Sequence, residues 1–290
     1  MLWGGKGPTS ISRRPTRVVA SPATVHETNP TVFLIARPSI DVEGMRAYLA
    51  DVGGESWLER RLEESGGGAG RDLNHGELIV EFGGRACYRS WEPGLNPNVT
   101  KVRTDQREYF ANILRSAHGS VLEHANWSFA FRNVSRAFTH ELVRHRAGSA
   151  FSQESLRYVR LTDIGFRVPP ALEPVREQVL SIVEQLEEFQ VSAAEELGIE
   201  EEGVPFHVKK EVTSALRRLA PIGLSTDILW TANARTLRHV IEMRTAAGAE
   251  EELRLVFDKV AKIMQAEAPG LFQDFTRQED GTWVPEHRKV

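Results

Sequence analysis

The order of the predicted strands and helices is the feature that most constrains the fold. The apolar, β-branched run TVFLIARP at 31–38 and the alternating pattern of WSFAFRNV at 127–134 each predict a strand, and both lie early in the chain. Because strands and helices do not alternate regularly, a doubly wound parallel sheet is excluded, and the class is α+β or mixed α/β. Helical spacing of apolar residues predicts helices at 40–52, 105–117, 136–146, 173–197, 205–219, 236–245 and 250–268.

One domain accounts for most of the chain. A protein of 290 residues, 41% of them hydrophobic, has enough apolar surface for one substantial core. Residues 1–30 are rich in Pro, Ser, Thr and Arg without apolar periodicity, which predicts a loosely ordered arm. The SGGGAG run at 65–70 predicts a flexible loop. We therefore expect a single domain at 31–290, preceded by the arm.

Charge and hydropathy exclude several classes of partner. The formal net charge of −4 provides no general attraction to nucleic acids or to anionic membranes. No segment approaches the roughly 18–20 consecutive apolar residues of a membrane span, and the first residues lack the apolar block of a secretory signal. We expect a cytoplasmic protein that binds neither nucleic acid nor membrane.

Two familiar site chemistries are not supported by the residue spacing. In HELVRH, His140 and His145 are five residues apart, roughly 140° around a helix, whereas the zinc-protease signature needs four. No metal site is therefore expected. Cys87 is the single cysteine, and no neighbouring residue suggests an activating base, so we expect a small buried apolar side chain there. The chain also lacks the glycine-rich motifs of dinucleotide and phosphate loops.

A basic segment at 141–160, ELVRHRAGSAFSQESLRYVR, is the clearest candidate for a binding site. It holds four arginines and one histidine within twenty residues of an acidic chain. We expect Arg144, His145 and Arg146 to be helical and to cover most of one side of the helix, which argues against a passive solvated face. A second basic group follows in NARTLRHVIEMR at 233–244. Guanidinium groups beside hydroxyl donors suit phosphate oxygens, so the two groups together predict a polyphosphate or nucleotide site.

At these residues the sequence resembles the flavin-dependent thymidylate synthases. The family signature runs from Arg-His-Arg through a serine-containing loop to Ser-x-Arg-Tyr, and RHRAGSAFSQESLRY at 144–158 matches it. SVLEHANWSFAF at 120–131 is similar to the family's Glu-His element and the strand after it. LAPIGLSTDILWTANARTLRHVIEMR at 219–244 is similar to the downstream block. The three blocks occur in the family's order, and the resemblance covers roughly residues 75–275.

The resemblance implies both a fold and an activity. The fold is a single α+β domain with a central mixed or antiparallel sheet and long helices. In this family, FAD is bound between the subunits of a homotetramer and reduced by NADPH. The enzyme converts dUMP to dTMP with methylene-tetrahydrofolate as the carbon donor. Because the reduced flavin activates the uracil ring, the reaction needs no cysteine nucleophile from the enzyme.

By the same resemblance, one set of residues binds FAD. Fixed guanidinium groups stabilise both a pyrophosphate and an electron-rich ring, and Arg146 also counts among the catalytic residues. For His145 and His239, the alternative is a packed, hydrogen-bonded structural role. The set is Arg144, His145, Arg146, Asn233, Arg235 and His239, with His124 beside the flavin or folate ring.

A second set of residues binds dUMP. Ser155, Arg157 and Arg217 are assigned to its phosphate and sugar, and Arg244 to the uracil, where a cation favours charge that develops on the ring. Ser155 and Arg244 complete the catalytic residues. The alternative for Arg244 is a side chain that complements the dipole at a helix end. The full set is Glu141, Gln153, Ser155, Arg157, Arg217, Arg244 and Tyr158, the last stacking against a folate or flavin ring.

The signature departs from its usual form in two respects. The loop after Arg146 is one residue longer, and Glu141 stands where the family often has glutamine, while Gln153 stands where it often has glutamate. The exchange preserves the summed charge of the two positions. We expect Arg144, three residues along the same helix, to separate Glu141 from the phosphate of dUMP.

These departures leave two alternatives open. One is a related FAD protein that acts on a different pyrimidine nucleotide, and the other is a catalytically silent nucleotide-binding protein. A nucleic-acid binder is less consistent with the sequence, because the basic residues are local and lack regularly interleaved aromatic residues.

Overall fold

A four-stranded antiparallel sheet lies at the centre of the protein. The computed structural model describes residues 25–65, 73–159, 161–288 and 290. The strands are β1 (His26–Glu27), β2 (Thr31–Ala36), β3 (Asn126–Ser135), β4 (Ser149–Gln153), β5 (Gly165–Phe166), β6 (Ser225–Asn233), β7 (Phe275–Arg277) and β8 (Trp283–Pro285). The central sheet has the strand order β2-β3-β6-β4, and two smaller sheets flank it, a parallel β1-β5 pair and a β7-β8 hairpin. This arrangement confirms the α+β class with an antiparallel sheet.

Nine α-helices surround the sheet within the described residues, and three short 3₁₀ helices occur at Gly119–His124, Pro170–Val175 and Arg217–Leu219. None of these helices is both long and apolar enough to cross a membrane. The α-helices are α1 (Val42–Val52), α2 (Glu55–Glu64), α3 (His75–Tyr88), α4 (Gln106–Arg115), α5 (Arg136–Leu142), α6 (Arg176–Glu196), α7 (Phe206–Leu216), α8 (Ala234–Thr245) and α9 (Glu251–Glu267).

The hydrophobic core lies between one face of the sheet and helices α8 and α9. Trp127, Phe129 and Phe131 alternate along β3 and are buried, whereas the residues between them face the other side. The Trp230 ring from β6 meets the Phe257 ring of α9 edge to face, 5.6 Å between centroids. The alternation that predicted a strand at 127–134 therefore reflects a sheet with one buried face.

The predicted N-terminal arm and glycine-rich loop fall largely outside the described residues. Residues 1–24 and 66–72 are not described, so the flexible loop at 65–70 is represented only by Ser65. Within the predicted arm, β1 pairs in parallel with β5, and the Thr28 hydroxyl lies 2.6 Å from that of Ser225. The last residues of the predicted arm thus contact the main body of the protein.

The helix predicted at 136–146 ends four residues early, and the prediction that Arg144, His145 and Arg146 are helical was wrong. Helix α5 stops at Leu142, and 143–148 form a turn that leads into β4. Tertiary hydrogen bonds explain the early end: residues at the start of α8 bind the main-chain carbonyls of Ala147 and Gly148 at 2.8 and 3.1 Å. The three basic residues therefore share a turn instead of a helix face.

The expectation that Cys87 is buried was also wrong. The cysteine is exposed near the end of α3. The buried stripe of this helix runs through Glu77, Glu81 and Arg85, at the spacing of one helical face. Cys87 lies two residues beyond Arg85 and therefore points away from that stripe.

Candidate cofactor site

A cavity of about 550 Å³ lies between the 143–148 turn and the N-terminal half of α8. Its size is typical of a site for a small organic ligand. All of the predicted FAD-binding residues except His124 line it, although they come from two segments about ninety residues apart in the sequence. The six predicted residues brought together here are Arg144, His145, Arg146, Asn233, Arg235 and His239.

Asn233 connects the turn to the helix. Its Oδ1 accepts a hydrogen bond from the Thr236 N–H at 2.9 Å, so Asn233 is the N-cap of α8. Its own N–H donates to the carbonyl of Gly148 at 3.1 Å, and the Thr236 hydroxyl donates to the carbonyl of Ala147 at 2.8 Å. With Oδ1 used in the cap, the Asn233 amide group can still donate from Nδ2 to a ligand.

Gly148 is required by this close contact. Its φ of +66° lies in the left-handed region, which favours glycine. A Cβ at this position would lie 2.4 Å from both Asn233 Nδ2 and Thr236 Oγ1. Backbone conformation and close packing therefore both select glycine at the point where the turn meets α8.

The guanidinium groups of Arg144 and Arg146 lie at the cavity and have no hydrogen-bonded or ion-paired partner in the described part of the chain. Arg235 differs, because its Nη1 donates to Glu123 at 2.6 Å and its Nε to the carbonyl of Val290 at 3.1 Å. Two unneutralised cations thus face the same space as the N-terminus of α8, whose helix dipole also favours an anion.

A three-residue cluster forms the wall behind the turn. Arg244, at the end of α8, donates from Nε to His145 Nε2 at 2.8 Å and from Nη1 to Glu141 Oε2 at 2.6 Å. Burial and the nearby Arg244 cation lower the pKa of His145 to about 4. The imidazole is therefore neutral at neutral pH, with Nε2 as the acceptor and the proton on Nδ1.

This cluster corrects the expected position of Glu141. The carboxylate of Glu141 pairs with Arg244 and not with Arg144, because α5 ends before Arg144 and the helical i to i+3 spacing is lost. His239 lies on the other side of His145, with the two rings 5.9 Å apart and nearly perpendicular. The predicted FAD and uracil residues are thus in direct contact through His145.

The residues predicted for the phosphate of dUMP lie elsewhere. Arg157 and Arg217 line a second basic cavity of about 490 Å³, together with His207, Lys210 and Arg218. In the described residues neither Arg157 nor Arg217 has a side-chain partner for its guanidinium group. This cavity shares no lining residue with the one around Arg146.

Ser155 and Gln153 lie on the segment that leads from β4 to Arg157. The Ser155 hydroxyl accepts a hydrogen bond from the Arg157 N–H at 3.4 Å. The Gln153 amide donates to the Thr139 hydroxyl of α5 at 3.0 Å, which connects this segment to the helix that carries Glu141.

The two residues predicted to stack on rings lie apart from the cavity around Arg146. Tyr158 is exposed and stacks on Phe206 of α7, 6.2 Å between centroids and 7° between planes, with the Lys210 ammonium 5.5 Å from its ring. His124 lines a largely apolar cavity of about 560 Å³ that also contains Tyr48 and Phe82.

Several lining residues escaped the sequence analysis. Thr236, Arg238 and Glu242 lie on α8 at helical spacing from the predicted residues, so a helical projection of 233–244 would have found them. Glu123, which pairs with Arg235, also lines the cavity. A further group follows α9, where the sequence has no signal for a binding site. They are Phe275, Pro285, His287, Arg288 and Val290. Among the described residues, no group of three or more His, Cys, Asp or Glu side chains is arranged to hold a metal ion.

Comparison with known proteins identifies the family. The sequence model of the family described as "Thymidylate synthase complementing protein" matches residues 71–270. The flavin-dependent thymidylate synthases of Mycolicibacterium gilvum and Mycobacterium tuberculosis are each 36% identical over 220 residues, covering 73% of this chain and 86% of theirs. A crystal structure of thymidylate synthase X from Helicobacter pylori with FAD and dUMP is 22% identical, covers 68% of this chain and 93% of its own, and has a TM-score of 0.49. The family match over more than half of the chain, with relatives of this identity, means that the chain belongs to the flavin-dependent thymidylate synthases.

Proposed function

We propose that the cavity around Arg146 holds FAD, and that the protein methylates dUMP to dTMP with methylene-tetrahydrofolate as carbon donor and NADPH as reductant. One observation carries the proposal: the unpaired guanidinium groups of Arg144 and Arg146 face one cavity together with the N-terminus of α8. Relatives that are 36% identical carry the name flavin-dependent thymidylate synthase.

The residues of the cavity fit FAD. A pyrophosphate requires cations and N–H donors, which Arg144, Arg146 and the Nδ2 of Asn233 supply. When bound, FAD supplies the hydride that activates the pyrimidine, after it has been reduced by NADPH. The chain's own residues bind, orient and neutralise charge. Cys87 is exposed on α3 and lines neither this cavity nor the one around Arg157 and Arg217.

Arg244 is the residue we assign to the uracil of dUMP. Glu141 and His145 hold its guanidinium group from two sides, at 2.6 and 2.8 Å. A cation held in this way stabilises negative charge as it develops on the uracil carbonyl oxygens, without first having to reorient. Neutral His145 contributes an acceptor and adds no further positive charge beside Arg244.

The phosphate and sugar of dUMP are assigned to Ser155, Arg157 and Arg217. Two guanidinium groups without acidic partners line the same small cavity, as expected for residues that neutralise a phosphate dianion. Gln153 is bound by Thr139 of the helix that carries Glu141. The ring-binding residues are His124, which lines a cavity with Tyr48 and Phe82, and Tyr158, which stacks on Phe206.

The separation of the two basic cavities supports a homotetramer in which subunits share active sites. The uracil residue Arg244 contacts one cavity wall, while Arg157 and Arg217 line the other. The outer face of the central sheet also exposes Phe33 and Leu229, which flank Ala130 across three neighbouring strands. Large apolar side chains grouped on a sheet face are typical of a surface covered by another subunit.

A visible spectrum of the purified protein tests the proposal. We expect the flavin spectrum in the isolated protein and a shift of its bands when dUMP is added. Release of tritium from dUMP labelled at carbon 5 should then require both folate and NADPH. A colourless protein that gains no flavin on incubation with FAD would refute the FAD site. A yellow protein that releases tritium only from another pyrimidine nucleotide would refute the proposal that dUMP is the substrate.

A further inference from the structure

The segment after β7 forms one wall of the cofactor cavity. We define the tail as residues 283–288 and 290. Pro285, His287, Arg288 and Val290 of the tail line the same cavity as Arg144 and Arg146. The tail lies beyond residues 71–270, over which the chain matches the family. Its contribution to the site is therefore a feature that the family comparison does not assign.

A buried ion pair holds the tail in place. Arg238 of α8 and Asp274 form a bidentate pair at 2.7 and 2.9 Å, with both side chains 5% exposed. The same Asp274 carboxylate accepts the His287 N–H at 3.1 Å, and Arg238 donates to the His287 carbonyl at 3.2 Å. The Asp274 carbonyl accepts the N–H of Glu286 at 3.0 Å. The tail is thus anchored to the helix that carries Arg235 and His239.

A second contact holds the tail at Val290. The carbonyl of Val290 accepts a hydrogen bond from Arg235 Nε at 3.1 Å. A Cβ on Gly119 would lie 2.3 Å from the Val290 carbonyl carbon and 2.8 Å from Arg235 Nε. Only a residue without a side chain therefore allows this approach, and the tail is seated next to one of the predicted FAD-binding arginines.

Between these two anchors lies Arg288. Its Nε is 3.3 Å from a carboxylate oxygen of Glu242, which lies on α8 and lines the same cavity. The side chain of Arg288 is 67% exposed. An ion pair through Nε leaves the two terminal Nη groups available, and these form the planar fork that binds phosphate oxygens. Arg288 is thus a further cation at the cavity, held by Glu242, in addition to the unpaired Arg144 and Arg146.

We infer that Arg288 is a further cofactor-binding residue, that its Nη groups bind phosphate oxygens of FAD, and that the tail is a permanent wall of the FAD site. This inference rests on the proposed function. It adds a phosphate contact from a segment outside the matched region. It also predicts that Arg288 distinguishes flavins by their phosphates and not by their ring.

The test compares Arg288→Ala with the wild type and with Lys101→Ala. Lys101 is a matched control, because its side chain is 63% exposed, it forms an ion pair with Glu108 at 2.7 Å, and it lies outside the cavity. Full-length apoprotein would be titrated with FAD and, separately, with riboflavin, which lacks phosphate, by following flavin fluorescence. We expect Arg288→Ala to weaken FAD binding at least about tenfold, as for a charged hydrogen bond, and Arg288→Glu to weaken it further.

Riboflavin affinity should remain within twofold of the wild type in Arg288→Ala, and Lys101→Ala should bind both flavins normally. Circular dichroism and thermal midpoints would verify that the variants fold, and Arg288→Lys should recover part of the FAD affinity. Unchanged FAD affinity in Arg288→Ala, or an equal loss for riboflavin, would overturn the inference while leaving the proposed function intact. A wild-type protein that does not bind FAD would overturn both.

Discussion

Arg244 donates a hydrogen bond from Nε to Nε2 of His145 at 2.8 Å, and this contact joins the end of α8 to the turn that carries Arg144 and Arg146. Two side chains assigned to different ligands therefore set each other's orientation. The bond requires an unprotonated Nε2 on His145, and the low pKa of His145 maintains that state. The conformation of the 143–148 turn and the position of Arg244, the proposed uracil contact, are thus coupled.

The first prediction concerns pH. The pKa of His145 is about 4 in the folded protein, compared with 6.5 for an unperturbed histidine. Since the unfolded chain takes up this proton first, the stability contributed by His145 is fully present above pH 6.5 and is lost as the pH falls towards about 4. Urea unfolding measured across this range should show that loss.

His145→Gln is the control for this prediction, because its amide oxygen still accepts from Arg244 but does not titrate. The variant should lose less stability between pH 6.5 and about 4 than the wild type does. Identical pH dependence in the two proteins would contradict a neutral, buried role for His145.

The second prediction concerns cofactor retention. Arg146→Ala should purify without flavin colour, because it removes one of two unpaired cations from the cavity. Lys101→Ala should remain yellow, since Lys101 lies outside the cavity. The ratio of flavin to protein absorbance measures the outcome. A stoichiometric flavin content in Arg146→Ala would disprove the assignment of Arg146.

The third prediction separates charge from position at Glu141. Glu141→Gln retains an acceptor for Arg244, so dUMP affinity should stay the same or increase slightly. Glu141→Ala removes that acceptor at 2.6 Å and leaves Arg244 less constrained, so dUMP affinity should fall about tenfold. Calorimetric titration of the FAD-loaded protein with dUMP gives both values. If Glu141→Ala bound dUMP as the wild type does, Glu141 would have no role in orienting Arg244.

The fourth prediction tests whether active sites are shared. Arg217→Ala should weaken dUMP binding by at least about tenfold, and binding of deoxyuridine, which has no phosphate, should not change. Arg217→Ala and Arg244→Ala should each be nearly inactive alone. Mixed after partial unfolding and reassembly, the two variants should recover part of the activity, because some sites then receive an intact residue from each subunit. No recovery in verified mixed oligomers would show that both residues serve a site within one subunit.

The fifth prediction concerns Gly148 in the 143–148 turn. Gly148→Ala should lower the thermal midpoint and the FAD affinity. The left-handed φ of +66° costs an alanine about 1–2 kcal/mol, and the new Cβ meets Asn233 and Thr236 at 2.4 Å. Gly248→Ala is the matched control, because a Cβ there would have no neighbouring atom within 4 Å and the φ of Gly248 lies outside the left-handed region. If both variants had the same midpoint, the strain at Gly148 would be refuted.

The sequence predicted the cofactor cavity better than it predicted the local structure that builds it. Six assigned residues meet in one cavity, yet three of them lie in a turn where periodicity predicted a helix. Helical periodicity depends on the polar and apolar pattern of a segment. It does not show whether distant residues will bind the main-chain carbonyls that a helix would use. The carbonyls of Ala147 and Gly148 instead accept hydrogen bonds from Thr236 and Asn233, about ninety residues further along the chain.

The amino-acid pattern by itself determined the α+β class, the buried face of β3, the long helices α6 and α9 and the arginine-rich blocks, because each depends on residues close together in the sequence. Only the tertiary structure decided the partner of Glu141 and the separation of Arg157 and Arg217 from the cavity around Arg146. It also decided the position of the tail against α8. Those features depend on pairings such as that of Arg238 with Asp274, which form only when distant segments meet in the fold and bury their charges together.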